Sequence, residues 1–172
     1  MVPIEEEIRE LFMASDYKVA VAESCTGGLV CKRITDVPGS SRYFLGGVVS
    51  YSNESKVSIL GVPRGEVEKG AVSGEVALFM AKGVRVLFGA DIGIGITGIA
   101  GPGGEPVGLV YIALDSKGYS LCREFRFEGT REGIRWNASE MALLMLKEFL
   151  GRGDANGYKD LHSHPFGRGD GG

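Results

Sequence analysis

The sequence predicts an α/β fold, a three-layer α/β/α sandwich around a mixed, mostly parallel sheet with a late β-hairpin, and three observations carry that expectation. Short apolar runs alternate with helix-period segments through the first hundred residues. Two runs of alternating apolar and polar residues then flank Asp115–Gly118, the pattern of a hairpin. A long helical repeat follows them. At 172 residues, 44% hydrophobic and 24% charged, the chain has the size of one globular domain, for which about 100–200 residues is usual. That domain is expected over residues 1–150, with a Gly-rich tail at 151–172.

In chain order, Ile4, Ile8, Leu11 and Phe12 recur at helical spacing, so residues 3–15 should form an amphipathic helix with Pro3 near its first turn. Lys18–Ala22 reads as a strand, running directly into the turn Glu23–Gly28 and a helix over Leu29–Thr35. A loop at Asp36–Ser41 precedes a strand at Gly46–Ser52. A short helix at Asn53–Leu60 is stopped by Gly61 and Pro63. Ser73 should cap a longer helix through Phe88. Asp91–Thr97 reads as a buried strand, followed by a glycine loop at Gly98–Gly104. The hairpin strands are Val107–Leu114 and Tyr119–Phe127. Ile134, Ala138, Met141, Met145 and Phe149 mark a last helix over about 131–150.

Composition excludes several classes of function. Nineteen Lys and Arg against 22 Asp and Glu give a net charge of −3, leaving no basic surplus to neutralise a run of phosphates, so nucleic acid is not an expected partner. No stretch reaches the roughly 20 apolar residues that cross a bilayer, and the acidic start, Met1 to Glu7, is unlike a signal peptide; a cytoplasmic protein without membrane contact is expected. Cys25, Cys31 and Cys122 form no C-x-x-C pair, which points to reduced thiols and no cysteine zinc site. Both histidines, His162 and His164, fall in the Gly-rich tail, which reads as a flexible appendage. Two ligands there do not close a tetrahedral metal site. No metal and no cofactor is expected.

Three segments could carry chemistry. In Glu23-Ser24-Cys25-Thr26-Gly27-Gly28 a strand turns through glycines into a helix, leaving amide donors that can hold an oxyanion or phosphate, with Ser24 or Cys25 placed as a nucleophile. The same residues also read as a simple helix cap by Ser24 or Thr26. In Tyr51–Lys56, with Asn53 as N-cap, Lys56 would take the third helical position, where its charge opposes the macrodipole. Buried, it would be a neutral amine; exposed, an ordinary surface lysine. Gly93-x-Gly95-x-x-Gly98 matches a dinucleotide fingerprint by spacing, but Gly101-Pro102-Gly103 stands where that fingerprint needs a helix. No His lies in the folded part, so a Ser-His-Asp triad is excluded, and serine with a lysine base is the remaining economical arrangement for acyl chemistry.

On these residues the sequence resembles a known family. AESCTGG, TDVPGSSRYFLGGVVSYSNESK, LGVP, GAVS, TGIAGPGG and PVGLVYIAL follow one another as in the C-terminal domain of the competence/damage-inducible protein CinA, across about residues 5–150. The resemblance implies an α/β/α sandwich that assembles as a homo-oligomer, dimer or higher. It implies a nicotinamide-nucleotide amidase, which converts nicotinamide mononucleotide to nicotinate mononucleotide and ammonia in pyridine nucleotide salvage. Carried over by position, the serine nucleophile falls on Ser24, the lysine base on Lys56 and its support on Tyr51. The nucleotide site would be lined by Cys25, Thr26, Gly27, Gly28, Gly46, Gly47, Asn53, Thr97 and Gly98, with Arg131 suited to the phosphate. The glycine loop is shorter than in many relatives, and the tail has no counterpart. An alternative reading is a nucleotide-binding or regulatory module of the same fold that holds the ligand without hydrolysing it; the presence of Ser24, Lys56 and Tyr51 favours the enzyme.

Overall fold

A computed structural model describes residues 1–152; the tail from residue 153 on, including His162 and His164, lies outside the described residues. The elements are α1 (Ile4–Met13), β1 (Val19–Glu23), α2 (Leu29–Thr35), a 3₁₀ turn (Ser40–Arg42), β2 (Phe44–Val49), α3 (Asn53–Leu60), α4 (Arg64–Lys69), α5 (Gly74–Phe88), β3 (Ile92–Gly98), β4 (Leu109–Ser116), β5 (Tyr119–Arg126) and α6 (Arg131–Gly151). Five strands form one sheet in the order β2-β1-β3-β4-β5. β2, β1 and β3 pair in parallel, while β3–β4 and β4–β5 are antiparallel, so β4 alone runs against the others. Among the described residues no helix is long and apolar enough to cross a membrane.

The period-2 geometry of the strands sorts the core into two unequal faces. Val19 and Val21 of β1, Ile92, Ile94 and Ile96 of β3, and Val110, Ile112 and Leu114 of β4 pack with Ile8, Phe12, Val30, Ile34, Ile134, Leu143 and Leu146 of α1, α2 and α6. The alternate positions are small. Ala20 and Ala22 meet Val76, Met80 and Val84 of α5 together with Leu60 and Val67 of α3 and α4. Gly93 and Gly95 lie directly under α5: a Cβ on Gly95 would collide with the Ala77 carbonyl and come within 2.6 Å of the Ala81 nitrogen. The Gly-x-Gly of β3 is therefore a seat that brings α5 close to the sheet, which accounts for the misleading fingerprint.

The other helices are positioned by charge as well as by burial. Arg33 of α2, only 3% exposed, donates to Glu5 of α1 at 2.5 Å and to Ser139 and Glu140 of α6 at 2.8 and 2.6 Å. Its guanidinium also lies 4.2 Å from the Trp136 ring centroid. α1, α2 and α6 are thereby fixed against one another beside the turn that follows β1.

Several details differ from expectation, among them the first hairpin strand, which runs Leu109–Ser116 instead of Val107–Leu114 because Asp115 and Ser116 still pair with Ser120 and Tyr119. β2 spans Phe44–Val49 instead of Gly46–Ser52, because it pairs along β1 from Val19 and is left at Ser50, whose N–H donates to the Glu23 carbonyl. α4 was not anticipated: six residues with a single buried apolar side chain, Val67, give no readable period. Ser52, not Asn53, caps α3, accepting from the Ser55 N–H at 3.1 Å, so Lys56 sits at the fourth helical position, one residue beyond the expected one.

Candidate active site

The carboxyl ends of β1 and β3 open beside the start of α3, and a cavity of about 270 Å³ lies there. Ser24, the first residue after β1, is held by its N–H to the Ile96 carbonyl and is 7% exposed. Lys56 reaches it from α3. Its Nζ lies 3.1 Å from Ser24 Oγ, 2.8 Å from the Ser50 carbonyl and 3.3 Å from the Tyr51 carbonyl. Two of these three partners can only accept. A neutral amine has two N–H groups for the carbonyls and one lone pair left for the Ser24 hydroxyl proton.

Burial works against a charge on Lys56. Lys56 is 2% exposed, and none of the ion pairs among the described residues includes it. Burial holds its pKa below the ordinary value, opposed in part by Cys25. The adjacent Cys25 thiol is pushed up to about 11, chiefly by burial, and so stays protonated at neutral pH. Its Sγ is 3.1 Å from the point that a Gly98 Cβ would occupy, so the sulfur packs against β3. Of the two neighbours, Ser24 is the one within hydrogen-bond distance of the Lys56 amine.

The turn after Ser24 is built differently from the sequence expectation. Glu23, fully buried, sends its carboxylate to the N–H groups of Val30 and Cys31 at 2.9 and 3.0 Å, occupying donors in the first turn of α2 that could otherwise hold a phosphate. Neither Ser24 nor Thr26 caps α2 through its side chain; Gly28, with φ +101°, stands at the N-cap. The Thr26 N–H has no acceptor among the described residues, and the buried Thr26 hydroxyl has no partner.

The remaining walls come from distant segments. Tyr51 and Asn53 precede or open α3, Thr97 and Gly98 end β3, and the loop from Ile99 to Gly104 closes one side. The Thr97 hydroxyl donates to the Ala71 carbonyl at 2.8 Å, tying β3 to the segment before α5. Arg131, at the start of α6, donates to the Gly101 carbonyl at 2.6 Å and to the Tyr51 hydroxyl at 3.1 Å. Those two bonds leave three of its five N–H groups for a ligand.

Ser24, Cys25, Tyr51, Asn53, Lys56, Thr97, Gly98 and Arg131 are thus brought to one cavity. Thr26, Gly27 and Gly28 shape the adjoining turn without lining it. Gly46 and Gly47 are elsewhere: they pair with Ala20 and Val21 in the middle of β1, where a Cβ on Gly46 would strike Phe88 and one on Gly47 would strike Cys31. They are packing glycines, not ligand contacts. Tyr51 supports Lys56 by its main-chain carbonyl, while its phenol serves Arg131. Sequence reasoning missed Glu23, Ser50 and Arg135. A carboxylate ending an otherwise apolar strand was a usable signal for Glu23; a main-chain acceptor leaves none. Among the described residues no three His, Cys, Asp or Glu side chains converge at metal-ligand spacing.

Comparison with known proteins places this architecture. The CinA C-terminal domain family matches residues 1–150. A CinA-like protein of Geotalea uraniireducens is 49% identical over 152 residues, 86% of this chain and 36% of the relative. One of Syntrophomonas wolfei is 52% identical over 141 residues, 79% of this chain and 34% of the relative. The chain therefore spans about a third of the length of these curated relatives. Among solved structures, a competence/damage inducible protein of Agrobacterium tumefaciens is 39% identical with a TM-score of 0.81, covering 88% of this chain and 98% of that one. A CinA superfamily protein of Klebsiella pneumoniae is 32% identical with a TM-score of 0.84, covering 87% and 97%.

Proposed function

The chain belongs to the CinA C-terminal domain family, and from that premise we propose that it is an amidohydrolase that converts nicotinamide mononucleotide to nicotinate mononucleotide and ammonia. The observation that carries the reading is the Lys56 amine 3.1 Å from Ser24 Oγ, with its other two contacts on carbonyls. In this reading Ser24 Oγ attacks the carboxamide carbon as Lys56 takes the hydroxyl proton. The C–N bond breaks, Lys56 returns the proton to the nitrogen, and ammonia leaves a nicotinoyl ester on Ser24. Water, deprotonated by Lys56, then attacks the ester carbonyl, the C–Oγ bond breaks, and Lys56 returns the proton to Ser24 Oγ as the acid is freed.

The buried end of the cavity holds Ser24 and Lys56 and suits the carboxamide. The exposed end, with Arg131, suits the phosphate, for which a guanidinium offers paired charge-assisted hydrogen bonds. The Cys25 and Thr26 N–H groups after Ser24, which donate to no acceptor among the described residues, are the available donors for the oxyanion of the tetrahedral intermediate. Ammonia release from nicotinamide mononucleotide by the purified protein, lost in Ser24→Ala, tests the proposal. Saturable binding of the nucleotide with no ammonia from the wild type would overturn it in favour of a binding module.

A further inference from the structure

Among the described residues, Arg135 is the charged side chain that donates to the main-chain carbonyls of the turn carrying Ser24. Its Nε donates to the Cys25 carbonyl at 3.0 Å and its Nη2 to the Thr26 carbonyl at 3.1 Å, across 110 and 109 residues of chain. Both ends of the fork are used, a geometry that a planar guanidinium supplies and an ammonium does not. Gly27 lies against the same group: a Cβ there would come within 2.8 Å of Nη2, so the turn at φ +63° is shaped to receive it.

The consequence follows from peptide geometry. In a trans peptide the C=O and the following N–H point in opposite directions. Drawing the Cys25 carbonyl toward α6 turns the Thr26 N–H away from α6, and that N–H, like those of Cys25 and Gly28, donates to no acceptor among the described residues. On the far side of the turn, Ser24 meets Lys56 of α3. Arg135 itself does not line the cavity. It shares the first two turns of α6 with Arg131, which does line the cavity and binds Gly101 and Tyr51.

We infer that Arg135 is a positioning residue for acyl transfer at Ser24: by holding two successive carbonyls it sets the Thr26 N–H where the developing oxyanion needs it, without touching substrate. This rests on the amidase reading above. Because Arg135 acts on the transition state and not on substrate affinity, its loss should fall on kcat and leave KM nearly unchanged.

The test compares wild type, Arg135→Lys and Arg135→Ala in steady-state ammonia release, thermal melting and the rate of Ser24 modification by a small aryl sulfonyl fluoride, followed by mass spectrometry. Arg135→Lys should lose about 100-fold in kcat, the scale of a displaced oxyanion donor or a small misplacement of reacting groups, and slow Ser24 modification to a similar degree. The apparent pKa governing the rate should stay where it is, because Lys56 keeps its contacts. Millimolar guanidinium should restore part of the activity of folded Arg135→Ala and none of that of Ser24→Ala. Wild-type kcat in Arg135→Lys, a loss confined to KM, or a loss that tracks the melting temperature with no guanidinium rescue would each overturn the inference. If wild type modifies at Ser24 but releases no ammonia, the proposed substrate fails while the modification rates still decide Arg135. If wild-type Ser24 does not react at all, both readings fail together.

Discussion

Lys56 is the residue on which the proposed chemistry turns, and two substitutions separate its possible roles. Lys56→Met keeps the length and apolar stem and removes the amine. It takes away the only group among the described residues within hydrogen-bond reach of Ser24 Oγ and leaves the Ser50 carbonyl without its 2.8 Å donor. Losing a positioned base costs on the order of 10²–10⁴ in rate, equivalent to about 2.7–5.4 kcal/mol of barrier at 1.36 kcal/mol per tenfold. Lys56→Arg restores a cation and a donor for both carbonyls, but guanidinium holds its proton at any pH the fold survives, so kcat should fall nearly as far. The pH dependence has a definite sign. A base works deprotonated, so kcat/KM should rise with pH and be lost as pH falls through the Lys56 pKa. Burial places that pKa below the ordinary 10.5. The assay is ammonia release at saturating and limiting nucleotide across pH, with melting curves to confirm that each variant is folded. Near wild-type kcat in Lys56→Arg, with any loss confined to KM, would refute the reasoning and leave Lys56 as a binding cation.

Other substitutions test the neighbouring assignments. Ser24→Ala should abolish turnover, whereas Cys25→Ser should retain most of it, because the buried thiol, with a pKa near 11, is packed on Gly98 and not paired with a base; steady-state rates of the two variants decide this. Arg131→Gln should raise the KM for nicotinamide mononucleotide about tenfold to a hundredfold, the range expected for charged hydrogen bonds, with a smaller change in kcat. Tyr51→Phe should leave the pH profile in place, because Lys56 is held by the Tyr51 main chain, and should raise KM by loosening Arg131. Gly95→Ala should lower the melting temperature by an amount corresponding to about 1–3 kcal/mol or more, since α5 cannot retreat from a Cβ at 2.6 Å from the Ala81 nitrogen without opening the sheet; an unchanged melting curve would contradict the close packing of α5.

What the sequence by itself determined is local. Helical spacing of Ile4, Ile8 and Phe12, the Gly61 stop after α3 and the Ser73 cap of α5 are set by side chains within a few residues of one another, and each stands where it was expected. The strand, glycine turn and helix around Ser24 was legible for the same reason. Whether Lys56 was a buried base or a surface cation was not, because its burial depends on Ser50 and Ser24, which reach it only when β1 and β2 pair side by side. The glycines illustrate the limit. Gly98 lines the cavity, Gly95 seats α5 and Gly47 accommodates Cys31, yet a residue without a side chain carries no sign of which neighbour it must admit. Long-range ties such as Arg135 to Cys25 and Arg33 to Glu140 belong to the same class, since a guanidinium's partners are chosen by how the helices pack against the sheet. Sequence set the pieces through short-range periodicity and capping; tertiary packing decided which donors, acceptors and charges lost access to water, and so which of them could take part in chemistry.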